Sequence, residues 1–343
     1  MNCPVPHQSE DHILLAHGEG ARLSRRLIRN VILPSLSNEF LKPLSNAALL
    51  PQVTSNLVMT TDSYVVSPLF FPGGDIGQLA VYGTVNDLVV CGAEPLYLCV
   101  ALIIEEGLSQ SILRRVLESL ASAATHVGVK VVSGDTKVVP RRAADQIFIT
   151  TTGIGRLRSG VEVGMHRIRA GDRILVSGTI GDHGIAVLAA REQLGFGSEL
   201  RSDVAPLHEM AAAVFQQQID VHFMRDPTRG GVSAVLHEIS EATGLSAIID
   251  ERAVPISEPV RGACELLGLD AMYVANEGKV LLIVPQEKSQ HALAILRSHE
   301  LGKHAAIIGE ITTTQPAGVY VQGSLGVLRV LDEPSGAPLP RIC

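Results

Sequence analysis

Tryptophan is absent from the 343 residues, and Phe and Tyr bring the aromatic share to only 3%. Base-stacking platforms and aromatic cages for organic cations therefore have little to be built from. Basic residues are outnumbered, 28 Lys and Arg against 35 Asp and Glu, which leaves a formal net charge of −7. They form no basic block, and this argues against nucleic acid as the main partner. The longest apolar run, residues 96–104, is far short of the roughly 18 residues a membrane span needs. The opening Met-Asn-Cys-Pro-Val-Pro-His has neither the basic nor the apolar region of a secretory signal. Cysteine is scarce: Cys3, Cys91, Cys99, Cys264 and Cys343 are widely spaced, odd in number and without a CxxC pair. A disulfide framework or zinc knuckle is thereby disfavoured. No P-loop, HExxH or GxSxG motif is found, and Gly18-Glu-Gly20-Ala-Arg-Leu23 fails the dinucleotide fingerprint at its third glycine. These absences predict a cytoplasmic globular protein with neither membrane nor nucleic-acid attachment.

What is present is a core-forming chain, 46% hydrophobic and 18% charged, long enough for about two domains. Residues 1–12 are polar and read as a loose leader. Helical spacing of Leu23, Leu27, Ile28 and Val31 predicts a helix over 21–36, and a strand is expected over 53–60, ending in Thr61-Asp62-Ser63. Residues 76–92 read as a helix stopped by Gly92 and Pro95, 96–104 as a fully buried strand, and 109–127 as an amphipathic helix closed by Gly128. Strands at 129–132 and 147–151 are expected to flank Gly134-Asp135-Thr136-Lys137. After an irregular stretch at 156–170, strands near 173–177, 247–250, 280–284, 306–311 and 319–321 alternate with helices near 184–194, 206–218, 231–243, 259–267 and 287–298. The pattern predicts an α/β (α+β) class. The predicted organisation is a domain at 13–160, a second at 161–331, and an extended proline-containing tail at 332–343 that is unlikely to fold by itself. Cys91, Cys99 and Cys264 lie in apolar surroundings and are expected in the core. Cys343 stands apart as the last residue.

Aspartates recur where apolar strands or compact Gly-containing segments end: Thr61-Asp62-Ser63, Gly83-Thr-Val-Asn86-Asp87, Gly134-Asp135-Thr136-Lys137, then Asp226 in Arg225-Asp-Pro-Thr-Arg229-Gly-Gly231, and Glu277 in Asn276-Glu-Gly-Lys279. Carboxylates gathered in one place suit Mg²⁺, a hard cation that bridges phosphate oxygens. Each could equally be an Asx-turn or a helix cap. The turn Gly178-Thr-Ile-Gly181-Asp-His-Gly184 is either a phosphate turn or a bare strand-to-helix connection.

These blocks, with Pro68-Leu-Phe-Phe-Pro-Gly73-Gly74-Asp75-Ile-Gly77, Cys264-Glu-Leu-Leu-Gly-Leu-Asp270 and the closing Pro340-Arg-Ile-Cys343, resemble the HypE family of hydrogenase maturation proteins. The resemblance runs from about His12 to the end, with Ala21 standing where the family has a second glycine. It implies the two-domain aminoimidazole ribonucleotide synthetase-like (PurM-like) fold, a homodimer formed through the N-terminal sheet, and a flexible tail. It also implies the reaction: HypF, a carbamoyltransferase, loads a carbamoyl group onto Cys343, ATP drives its dehydration to a thiocyanate, and the cyano group passes to iron on a HypC–HypD complex. Carried onto this chain, the resemblance makes Cys343, Lys137 and Glu277 catalytic. It places Asp62, Gly73, Gly74, Asp75, Asn86, Asp87, Asp135, Thr136, Asp226 and Arg229 around ATP, with Asp62, Asp87 and Asp135 on Mg²⁺. Lys137 is the candidate base, or else simply a salt-bridge partner. An ATP-dependent kinase of the same superfamily, or a carrier whose tail ferries a group without catalysis, are the alternatives.

Overall fold

The computed structural model describes residues 12–14, 17, 26–42, 56–195, 199–333, 339 and 341–343. The leader up to residue 11, Cys3, the glycine loop at 18–21 and Pro334, Pro338 and Pro340 lie outside the described residues. Two large sheets organise the rest, beside a two-stranded ladder of β2 (Phe70–Phe71) and β3 (Gly74–Asp75). The first has four strands: β1 (Leu57–Tyr64), β6 (Ile147–Leu157), β4 (Ala93–Glu105) and β5 (Lys130–Val139), in the order β1-β6-β4-β5. Only β4 and β5 run parallel. The second has seven strands, in the order β13-β12-β9-β11-β7-β10-β8. These are β7 (Arg173–Val176), β8 (Phe223–Arg225), β9 (Ser246–Asp250), β10 (Leu281–Val284), β11 (Ala306–Thr312), β12 (Val319–Gln322) and β13 (Leu328–Val330). Among the described residues, no helix is long and apolar enough to cross a membrane.

The helix Gln110–Val127 forms where the spacing predicts it. Leu113, Val116, Leu117, Leu120 and Ala124 make one buried stripe, Ser109 accepts from the Ser111 amide, and Gly128 ends the helix in the left-handed region. It packs on the helix Ile76–Val90, which is buried nearly all round. Asp75 caps that second helix, accepting from the amides of Gly77 at 2.8 Å and Gln78 at 3.1 Å and from the Ser119 hydroxyl. Both helices cover the same face of the four-stranded sheet.

Several expectations need correction. Asp62 lies inside β1 and Gly134–Lys137 inside β5, so neither segment ends a strand. β4 is not buried on both faces, because helices cover only one. Ile103 is 38% exposed, and across the same open face β1 presents Leu57 at 58% and Met59 at 71%. Cys264 is buried as expected, but Cys99 is only half-buried and Cys91 is exposed at the end of its helix. Residues 28–32 wind as a π-helix running into Leu33–Leu36. The short strands β8 and β13 carry no periodicity of their own.

The end of the tail is docked on the body. Ile342 is 2% exposed within the main hydrophobic cluster. That cluster joins both sheets, with Leu79 and Leu117 on one side and Leu175 and Leu282 on the other.

Close helix contact at Gly77 has a measurable consequence. A Cβ there would stand 2.5 Å from the Val116 carbonyl oxygen and 2.9 Å from the Leu120 amide. Gly77→Ala should lower stability by about 2–3 kcal/mol in urea unfolding, because backbone on both sides must move apart. Replacing Gly262 by Ala, where nothing lies within 4 Å of the added atom, should cost nothing.

Candidate active site

β1 directs Thr60, Asp62 and Tyr64 toward the helix Ile76–Val90, since strand residues two apart share a face. The Tyr64 hydroxyl donates to Asp62 Oδ2 at 3.2 Å and also bonds the Thr84 hydroxyl. Thr60 donates to Asp87 Oδ2 at 2.6 Å, and Asp87 stands close enough to Asp62 to act on its charge. From the other half of the molecule come Asp226, just after β8, and Glu277, just before β10; they are 6% and 2% exposed.

The electrostatics follow from crowding. Burial, then the neighbouring Asp87, raises the Asp62 pKa to about 6. Burial, then Asp87, raises Asp226 to about 7. Burial with Asp226, Asp203, Asp62 and Asp87 nearby puts Glu277 well above the carboxylate range. Like charges brought together out of water resist ionisation. Cys343 lies within reach of this field: burial, reinforced by Glu277 and Asp62 and opposed by Arg229, pushes its thiol up to about 12.

Asn86, fully buried, does not face the carboxylates. Its amide donates to the Ala205 carbonyl at 3.0 Å and the Glu277 carbonyl at 3.1 Å, while its oxygen accepts from the Leu207 amide at 2.8 Å. The side chain therefore ties the two halves together. Asp75 is spent on its helix cap, Gly73 lies against the Ser202 backbone and Gly74 against Val204. In the turn at 178–184, Gly181 N–H donates to Asn276 Oδ1 and the amides of Ile180 and Gly184 to Pro255 and Ala275. The bare connection is thus the better description of it.

Asp135 and Lys137 are elsewhere. They pair with each other at 3.0 Å, with side chains 62% and 64% exposed. Asp62 aligns through Thr151 to Val100 on the helix-covered face, whereas Asp135 aligns with Ala101 on the open face. The expected Mg²⁺ trio of Asp62, Asp87 and Asp135 is therefore not assembled in one chain: opposite faces and opposite edges of the sheet separate its members. Thr136 follows Asp135, its amide donating to that carboxylate.

Asp203 escapes notice in the sequence, and Lys279 is given no role there. Asp203 accepts from the Glu277 amide at 3.1 Å and pairs with the nearly buried Lys279 at 3.0 Å. Gly278 permits this approach, since a Cβ there would stand 1.9 Å from the Asp203 carbonyl oxygen. Asp203 sits in an irregular stretch that carries no pattern, although Lys279 closes the Asn276–Lys279 block.

A cation fits this chemistry on two counts. Glu277 Oε1 is buried with no hydrogen-bond partner, and four further carboxylates surround it electrostatically. Among the described residues no three His, Cys, Asp or Glu side chains are grouped to hold a metal ion.

The comparisons with known proteins agree over the whole chain. The N-terminal domain model of the AIR synthase related proteins matches residues 44–157, and the corresponding C-terminal model matches 169–322. The carbamoyl dehydratase HypE of Azotobacter vinelandii is 46% identical over 96% of both chains. A crystal structure of hydrogenase maturation protein HypE in complex with ATP superposes with a TM-score of 0.92 at 45% identity, covering 96% of this chain and all of that one. HypE in a HypE–HypF complex matches with a TM-score of 0.79 at 46% identity, covering 90% of this chain and 99% of that one.

The raised carboxylates fix the sign of a pH effect. A carboxyl whose folded pKa lies above its unfolded value keeps its proton on folding, so its contribution falls as pH rises through the folded value. The melting-temperature advantage of Asp226→Asn over the natural protein should therefore grow from about pH 4 to about pH 7 and level off above that. Thermal scans across that range check it, and the burial-shifted histidines affect both proteins alike.

Proposed function

The chain belongs to the HypE family of carbamoyl dehydratases, and on that premise we propose that it converts a thiocarboxamide carried on Cys343 into a thiocyanate at the expense of ATP. The observation that carries this reading is the docking of the half-buried Cys343 within the field of Glu277 and Asp62, two members of the carboxylate cluster. Bound Mg²⁺–ATP supplies the phosphoryl group that makes the amide oxygen a leaving group, and the cation that offsets charge in that transfer.

The chain's own groups do the rest. Asp62, Asp87 and Asp226 would hold the cation, which would draw the raised values of Asp62 and Asp226 back down. Arg229, exposed at the rim, orients phosphate or the tail. As the C≡N bond forms, phosphate departs with the former amide oxygen and two protons leave nitrogen; Glu277, poised by burial, takes one. The balance is thiocarboxamide plus ATP giving thiocyanate, ADP and phosphate.

Lys137 and Asp135 enter from a second copy. The open face of the four-stranded sheet carries Leu57, Met59 and Ile103 beside Lys137, an apolar surface suited to a homodimer. A two-fold axis along the strands would lay β5 of one subunit over β1 of the other. The partner subunit's Lys137 would then stand over the open face of β1, and we propose it as the second proton acceptor. HypF, the carbamoyltransferase, is the proposed source of the carbamoyl group, in keeping with the HypE–HypF complex. A HypC–HypD complex in the cytoplasm is the proposed cyanide acceptor.

Mass spectrometry of the C-terminal peptide tests the reaction. A carbamoyl adduct on Cys343 should lose one water only with hydrolysable ATP, and Glu277→Gln should slow that loss on the order of 10²–10⁴-fold while leaving loading intact. An unmodified Cys343, with ATP spent on a free small molecule, would favour the kinase alternative. Mixed dimers test the shared site: Cys343→Ala and Lys137→Ala are each inactive alone, and mixing them should restore activity. No recovery in verified mixed dimers would place Lys137 in its own chain's chemistry or outside it.

A further inference from the structure

Arg341, Ile342 and Cys343 present three successive backbone carbonyls to the body, and each meets a donor. The Arg191 guanidinium, which also donates to the Ser67 carbonyl at 2.9 Å, donates to that of Arg341. His183 Nε2 bonds the Ile342 carbonyl at 3.0 Å. The Val65 amide donates to the Cys343 carbonyl at 3.1 Å. Arg341 reaches outward, its Nε donating to Val65 O and its guanidinium pairing with Asp145 at 2.9 Å.

His183 differs from the other donors in being a wholly buried side chain, 0% exposed, with Phe71 edge-on at 5.5 Å. Burial lowers its pKa, which favours the neutral ring. Its tautomer follows from its partners. A carbonyl can only accept, so Nε2 carries the hydrogen and Nδ1 of the neutral ring is an acceptor. Ser202 Oγ lies 2.8 Å from Nδ1 and already accepts from the Val204 amide at 3.1 Å, so its hydroxyl hydrogen is available to Nδ1. Ser202 thus fixes the ring with its donor aimed at the tail.

We propose that His183, its tautomer set by Ser202, is the positioning residue that seats the tail: it holds Cys343 beside Glu277 for dehydration and limits how often the thiol is released for loading. The proposal rests on Cys343 as the carrier. A docked thiol, half-buried and kept protonated by that burial and by the carboxylates around it, is a poor nucleophile, so the reagent that loads it must catch the released tail.

Iodoacetamide alkylation of the full-length protein, followed on the C-terminal peptide, reads release directly. His183→Ala should speed Cys343 alkylation about tenfold, the worth of one buried hydrogen bond. It should accelerate loading and slow single-turnover dehydration of the loaded tail. His183→Gln, which restores an amide donor, should return alkylation to near the natural rate, and Ser202→Ala should shift it in the same direction as His183→Ala. Alkylation of the exposed Cys91 should not change, whereas a rise at both Cys91 and the buried Cys264 would mean that His183→Ala unfolds the body, leaving Ser202→Ala to decide. Cys343 reacting at the natural rate in Ser202→Ala and in folded His183→Ala would overturn the proposal. Faster alkylation in a protein that never dehydrates a carbamoyl group would uphold the latch and refute the dehydratase reading.

Discussion

Three hydrogen bonds from one buried amide hold the site together. Asn86 sits on the helix Ile76–Val90 and grips the Ala205 and Glu277 carbonyls and the Leu207 amide across the boundary between the two sheets. Asp87 is its neighbour in sequence, so the clasp that fixes Glu277 also fixes the carboxylate opposing it. Asp203 continues the brace by accepting from the Glu277 amide while Lys279 holds its carboxylate. A buried amide with every partner satisfied confers a single arrangement, and losing one partner would leave polar groups stranded.

The brace brings together groups that repel. Asp62, Asp87, Asp226 and Glu277 share a partly dry space, and Glu277 keeps an unpartnered oxygen there. Such an arrangement opposes folding stability, and sites of this kind are where local rules are broken for function. The tail thiol is drawn into the same field, which suppresses its ionisation. Docking and loading are therefore competing states of Cys343, and the seat that His183 provides sets the balance between them.

Much of the fold was legible because it rests on local pattern. The stripe of Leu113, Val116, Leu117 and Leu120, the Ser109 cap and the glycine at 128 specify a helix without reference to anything distant. Strand edges were less legible: β1 and β5 run through Asp62 and Gly134–Lys137 because their ladders continue, and pairing is a long-range property. Site membership depended on register more still. Aspartates 62 and 135 look alike in sequence, yet alignment through β6 and β4 puts them on opposite faces. Asn86 and Asp75 carried the right residue types beside glycine, and the structure spends both on protein atoms. Asp203 and the role of His183 were invisible locally, since each acts on a segment brought near only by folding.

The central claim is that the Asp62–Asp87–Asp226 carboxylates receive the cation that comes with ATP. Calorimetric titration with preformed Mg²⁺–ATP near pH 6.5, repeated in buffers of different ionisation enthalpy, counts the protons exchanged on binding. Carboxyls with pKa values of about 6 and about 7 should ionise as the cation arrives. Net proton release that shrinks in Asp226→Asn is the predicted result. Tight binding with no proton release, unchanged by that substitution, would contradict the account and place the cation elsewhere.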